Sequence, residues 1–183
     1  MYEVEVKAVL RDRKAVIQKL ENFGCKFSSE IHQVDNIFIP DGIPFPPPLG
    51  TPVLRVREQN EISFFTLKIS QSSHQDCIEK ELEIGDGGKM LEILKLLNWK
   101  QVPTVDKKRI KTKVDDIEVV LDSVKELGEF IEAEKIVTDD NPESRKKTQE
   151  ELYKFLGTLG VTTEDHVIGG KYDIMLYEKL KGK

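Results

Sequence analysis

Residues 2–9 of the chain, Tyr-Glu-Val-Glu-Val-Lys-Ala-Val, set Glu3, Glu5 and Lys7 on one side and Val4, Val6 and Ala8 on the other. A two-residue period of this kind marks a β-strand with one apolar and one charged face. Similar segments follow near 32–39, 53–58, 62–69, 77–84, 103–112, 116–122 and 129–136. Strands that are apolar on one face must cover that face with another layer, and this is what most limits the fold.

The covering layer is also written in the sequence. Asp12 can cap a helix over about 13–23, where Val16, Ile17, Leu20 and Phe23 form one stripe and Gly24 is a natural stop. Met90, Leu91, Ile93, Leu94 and Leu97 predict a helix near 89–98. Asn141-Pro142 opens a third over about 142–159, whose buried side is Leu152, Tyr153, Phe155, Leu156 and Leu159, and a short helix is expected near 171–180. The order is a loose two-part repeat without an internal boundary. It predicts a single α+β domain over 1–183, with helices laid outside an antiparallel sheet. Six of the eight prolines (Pro40, Pro44, Pro46, Pro47, Pro48 and Pro52) fall within 40–52, which predicts a long loop serving as lid or rim.

Composition narrows the class. Of 183 residues, 38% are hydrophobic, enough for a core, and 33% are charged. No run of about 18 apolar residues exists and the start, Met1-Tyr2-Glu3-Val4-Glu5, is acidic, so neither a membrane span nor a secretory signal is expected. A cytoplasmic protein without a membrane partner is the expectation. The net charge of −5 argues against nucleic acid as a partner. Cys25 and Cys77 lack metal-type spacing and read as reduced thiols.

The second face of the strands is charged almost throughout: Glu3, Glu5, Lys7; Arg55, Arg57; Lys68; Glu79, Glu81, Glu83; Lys107, Arg109; Glu118, Asp122; Glu132, Glu134. For one strand alone a solvated face would explain this. Residues two apart on a strand lie roughly 7 Å apart, where like charges repel by about 2 kcal/mol at an effective dielectric of about 20. Repeated same-sign pairs suit multivalent ions better than a soluble surface, which mixes signs. Closing the sheet into a barrel puts these side chains in a lumen. Carboxylates there would hold a hard cation such as Mg²⁺ or Mn²⁺, and Arg and Lys would clamp phosphate oxygens.

At these residues the sequence resembles the CYTH, or triphosphate tunnel metalloenzyme, superfamily. Glu3-Val4-Glu5-Val6-Lys7 is similar to its Glu-x-Glu-x-Lys signature. Further matches follow in order: Asp35 with Phe38, Leu54-Arg55-Val56-Arg57, Leu67-Lys68, the 79–83 alternation, Lys107-x-Arg109, Leu121-Asp122, Gly128 and Glu132-x-Glu134. The resemblance implies a closed eight-stranded antiparallel barrel. It implies metal carboxylates at Glu3, Glu5, Glu132 and Glu134, with Glu81 or Asp122 nearby, and a triphosphate clamp of Lys7, Arg55, Arg57, Lys68, Lys107 and Arg109. Within that clamp Lys7, Lys107 and Arg109 are the expected catalytic cations. A homodimer is also implied. Two positions depart from the pattern: Cys77 stands where a basic residue is expected, and Lys171-Tyr172 where a Ser-Tyr pair is expected.

The implied activity is that of a class IV adenylyl cyclase, turning ATP into cyclic AMP and pyrophosphate. Alternatives are an inorganic or thiamine triphosphatase and a non-catalytic polyphosphate-binding module; the metal carboxylates favour catalysis. Other features have plain readings. His32, His74 and His166 read as surface or loop residues, and Trp99 and Phe155 as core. Arg145-Lys146-Lys147 reads as a solvated helix face. Gly85-Asp86-Gly87-Gly88 lacks the Lys-Ser/Thr of a P-loop and reads as a strand-to-helix turn. Cys77 shares strand parity with Glu79 and Glu81 and is expected to face the lumen.

Overall fold

The computed structural model describes residues 2–73, 76–138, 141–168 and 170–182. His74 lies outside the described residues. Nine strands form one antiparallel sheet: β1 (Tyr2–Val9), β2 (Ile31–Pro40), β3 (Pro52–Gln59), β4 (Ile62–Ser73), β5 (Asp76–Ile84), β6 (Trp99–Gln101), β7 (Val105–Val114), β8 (Ile117–Val124) and β9 (Gly128–Val137). Eight of them run in the order β3-β4-β5-β1-β9-β8-β7-β2, and pairing of β2 with β3 closes the barrel. The short β6 adds to β2 over Phe38–Pro40, beyond the stretch of β2 that pairs with β7. This ninth strand is not foreshadowed by the alternation, since three residues carry too little period to read.

The predicted parity holds. On β1, Val4, Val6 and Ala8 have no exposed surface and face outward into a cluster with Val119, Leu121, Ile131 and Ala133 of β8 and β9. Helices α1 (Arg13–Asn22) and α3 (Pro142–Thr158) cover that cluster through Val16, Leu20, Leu152 and Leu156. Each such aliphatic side chain contributes about 1.5–3 kcal/mol on burial. Helix α2 (Gly87–Leu96) covers Phe38 and Val56 with Leu94, and Trp99 packs at its edge. Ile93, one of the apolar residues that mark this helix in the sequence, is exposed, as is Leu97 just past its end. Among the described residues no helix is long and apolar enough to cross a membrane.

The helix ends follow from their capping residues. Asp12 Oδ1 accepts the Ala15 N–H at 2.9 Å, Asp86 Oδ1 the Lys89 N–H at 2.8 Å and Asn141 Oδ1 the Glu143 N–H at 3.0 Å. Gly24, at φ +82°, ends α1 in the left-handed region. Asp86 and its neighbours thus form the expected strand-to-helix turn, with Gly87 and Gly88 already inside α2. Arg145 departs from expectation. It is buried with its guanidinium 4.3 Å from the Tyr2 ring, while Lys146 and Lys147 are exposed.

Helix α4 (Tyr172–Lys181) lies across one end of the barrel. Tyr172 and Leu176 pack there on Ile37, Val105 and Phe130. The proline-rich connection between β2 and β3 joins this cap: Phe45 is buried, and its ring stands edge-on to Tyr177 at 4.9 Å. Its end prolines, Pro40 and Pro52, terminate β2 and begin β3, positions where a missing N–H is tolerated.

Candidate active site

The charged face of the sheet points inward. A cavity of about 220 Å³ runs within the barrel, and among its lining residues are Glu3, Glu5, Lys7, Arg55, Arg57, Lys68, Glu81, Lys107, Arg109, Glu132 and Glu134, all but one of the metal and clamp residues that the resemblance implies. The exception, Asp122, is fully buried directly behind Arg109. Cys77 lines the cavity as its parity predicts, whereas Glu83 is exposed outside it. His32 pairs with Asp106 on the exterior at 2.7 Å, and His166 stacks on Tyr153; neither lines the cavity.

Strand pairing decides which charges meet. Asp35 of β2 stands opposite Arg57 of β3, whose Nε and Nη2 donate to its two oxygens at 2.6 and 2.9 Å. Lys107 reaches the same carboxylate at 3.5 Å. Burial opposes the charge on Asp35, but Lys107 and then Arg57 outweigh it and hold its carboxyl far below the usual range. Lys107 itself is pulled down to about 8 by burial and by the neighbouring Arg109. Further along β7, Arg109 donates to Asp122 at 2.7 and 2.5 Å and to Glu132 at 2.7 Å. Lys7 is 3.2 Å from Glu132 and 3.7 Å from Glu5. Despite its burial, Glu132 is held far below its usual range by Lys7 and Arg109. Arg55 donates to Glu79 at 3.1 Å and Glu81 at 2.9 Å, and Lys68 pairs with Glu79.

Of the expected metal carboxylates, the structure brings together Glu3, Glu5 and Glu134, whose oxygens lie within 4.8 Å of one another. Glu132, Glu81 and Asp122 are instead engaged by arginines and lysines. Burial, then Glu3, Glu118 and Glu5, push the Glu134 carboxyl up to about 8. Glu3 is also raised, by burial first and by Glu79 and Glu5 against the opposing Lys68. A cluster of three carboxylates, two of which crowding and burial make resist ionisation, fits a hard divalent cation, which prefers oxygen ligands.

Several lining residues were not singled out. Lys111 continues the 107–109 parity and pairs with Glu118; the same two-residue count could have found it. Asp35, quoted among the matches, had no role until its partners were in view. Residues 170–173 carry no strand period, yet they enter the site. Gly170 carbonyl oxygen accepts from Lys7 Nζ at 3.5 Å. Lys7 lies 3.9 Å and Lys107 5.3 Å from the Tyr172 ring centre, and the Tyr172 hydroxyl donates to Asp122 at 3.0 Å.

The sequence matches the CYTH domain family over residues 1–170. It is 33% identical over 174 residues to "Putative adenylate cyclase MJ0240" of Methanocaldococcus jannaschii, spanning 94% of this chain and 97% of that protein. Among solved structures, PH1819 of Pyrococcus horikoshii OT3 is similar with a TM-score of 0.80 at 28% identity, covering 97% of this chain and 99% of that one. The Hippeastrum protein HpAC1, described as having a dominant triphosphatase activity, shares the fold with a TM-score of 0.58 at 17% identity, covering 98% and 96%.

Proposed function

Since the chain belongs to the CYTH family, we propose that its barrel binds a triphosphate with a divalent cation and catalyses phosphoryl chemistry on it. The observation that carries this reading is the meeting of many buried cations with the Glu3, Glu5 and Glu134 cluster in one cavity. Phosphoryl transfer depends on positioning and charge neutralisation more than on a covalent nucleophile. A Mg²⁺ or Mn²⁺ ion held by Glu3, Glu5 and Glu134 would supply added neutralisation of the phosphate oxygens.

The chain's own groups do the rest. Arg55, Arg57, Lys68 and Arg109 bind the phosphate oxygens, and Lys7 and Lys107 complete the clamp. Asp35, Asp122 and Glu132 fix the arginine planes, so little reorganisation is needed when ligand enters. Lys107, with its ammonium pulled down to about 8, is the tunnel cation best suited to exchange a proton at Nζ near neutral pH.

The finer reading is cyclase activity, in which the ribose 3′-oxygen attacks the α-phosphorus of ATP and pyrophosphate leaves; the name of the M. jannaschii relative supports it. A specific observation favours a second reading, hydrolysis of an inorganic or other triphosphate. The apolar part of the wall is Ile37, Val53 and Val105, and among the described residues Tyr172 is the one aromatic lining the cavity, with Lys7 already over its ring in the place a base would stack. Incubation with ATP, inorganic triphosphate and thiamine triphosphate under Mg²⁺ or Mn²⁺ tests both. Cyclic AMP with pyrophosphate selects cyclase, free phosphate selects hydrolase, and no turnover of any of them sinks the proposal. Glu5→Gln is expected to lose most turnover while melting like the wild type.

A further inference from the structure

The tunnel holds one carboxylate that the clamp and the acidic cluster leave unused. Asp173, on the first turn of α4, lines the cavity and is 6% exposed. The other lining acids are engaged. Asp35, Glu79, Glu81 and Glu132 each accept from an arginine at 3.1 Å or less, and Glu3, Glu5 and Glu134 lie together. No cation among the described residues pairs with Asp173: Lys171 turns its ammonium to Ser70 Oγ and Cys77 Sγ, each at 3.4 Å. The Asp173 carboxylate accepts instead from backbone N–H groups at the start of α4, including that of Ile174.

Burial raises the Asp173 carboxyl above its ordinary value, against Lys171, the Ile174 N–H and Lys7, which oppose the rise. Those two lysines, one in the turn before α4 and one on β1, are the charged groups that face it. The arginine-held acids go the other way, with Asp35, Glu79 and Glu132 all lowered, and a carboxylate so held is a poor base. Burying an acid beside no paired cation opposes folding, so packing alone does not account for one in the wall of a cavity. Its place is also fixed. Tyr172, the residue before it, donates to Asp122 at 3.0 Å and carries Lys7 Nζ over its ring, which holds Asp173 beside the phosphate clamp and outside the acidic trio.

Resting on the catalytic reading above, we propose that Asp173 is the general base of the tunnel, accepting the proton of the oxygen that attacks phosphorus. That oxygen belongs to a ribose hydroxyl in the cyclase reading and to water in the hydrolase reading, and the step is the same for both. As the new O–P bond forms, the proton passes to an Asp173 carboxylate oxygen. The bond from phosphorus to its bridging oxygen breaks, and its electron pair leaves on the departing phosphate group. Asp173 then gives the proton to solvent.

Steady-state kinetics on ATP and on inorganic triphosphate in Mg²⁺, with cyclic AMP and free phosphate measured separately, test this and tell the two attacking oxygens apart. Asp173→Asn is expected to lower kcat by about a hundred- to ten-thousand-fold, with KM within threefold of wild type. Its affinity for the nitrogen-bridged analogue of inorganic triphosphate, which resists cleavage, is expected to match wild type by isothermal titration. Wild-type kcat is expected to fall towards acid as Asp173 takes up a proton, and the residual rate of Asp173→Asn to lack that limb. Asp173→Ser serves as the second variant should the asparagine lower the ligand-free melting temperature; its hydroxyl can still accept the Ile174 N–H, so a purely structural role predicts near-normal turnover and the catalytic role the same large loss. A kcat within threefold of wild type in Asp173→Asn or Asp173→Ser, or a loss of analogue affinity as large as the loss of kcat, overturns the role of Asp173 and leaves the enzymatic reading standing. Absence of turnover by wild type, visible before any variant is made, overturns both.

Discussion

Asp122 has no exposed surface, yet Arg109 and Tyr172 both spend hydrogen bonds on it. Its carboxylate holds the guanidinium plane on one side and the hydroxyl of the α4 tyrosine on the other, so it joins the barrel wall to the capping helix. Burying a pair of opposite charges gives little net stability, but removing one member leaves an uncompensated charge in a dry site. Asp122→Asn is therefore expected to lower stability by about 3–5 kcal/mol, read from urea denaturation. A loss under 1 kcal/mol would show that water reaches Arg109. The same logic accounts for Glu132, which serves Lys7 and Arg109 and has no spare oxygen directed to the Glu3, Glu5 and Glu134 cluster. Alternation along a strand tells which face a carboxylate takes. It does not tell whether the neighbour across the lumen is a cation or another acid, and that is why the acids could be placed in the tunnel from the sequence while their division into an acidic trio and arginine partners could not.

Among the elements, α2 begins in close contact with β4. A methyl group on Gly87 would lie 2.6 Å from Ser63 Oγ and 3.1 Å from Ser63 Cβ, whereas one on Gly88 would meet only Asp86 Oδ1, at 3.5 Å. Gly87→Ala is expected to cost about 1–3 kcal/mol through overpacking. Gly88→Ala is expected to be neutral or to gain up to about 1 kcal/mol, since alanine is the better helix former. Thermal melts of the two variants compare them directly, and equal melting temperatures would mean that Ser63 yields without cost. The eight barrel strands and four helices were readable because each repeats its period over eight or more residues or carries a cap such as Asp12 or Asn141. What the period cannot carry is contact across elements. Trp99–Gln101 becomes a strand only because β2 offers it an edge, and Arg145 is buried because Tyr2 meets it. Lys171 and Tyr172 likewise matter through the barrel end on which α4 rests.

At the scale of the molecule the barrel concentrates like charges that folding alone does not reward. The Glu134 carboxyl binds its proton at about 8 in the fold against an ordinary 4.5. The folded state therefore keeps a proton that the unfolded chain gives up, and the stability tied to it is full below about pH 4.5 and declines as pH rises towards 8. Metal-free protein is expected to show this decline in its melting temperature, with Glu134→Gln flattening it. Identical profiles for the two would mean that the acids do not interact. Divalent cation affinity is expected to run the opposite way, rising with pH over the same window as the proton is displaced. The topology has a further consequence for synthesis. Strand β1, made before the other eight strands, lies between β5 and β9 in the finished wall. Until β9 has been made, Glu3 and Glu5 lack the flank that carries Glu134, so a nascent chain cannot assemble the acidic trio before that strand is in place.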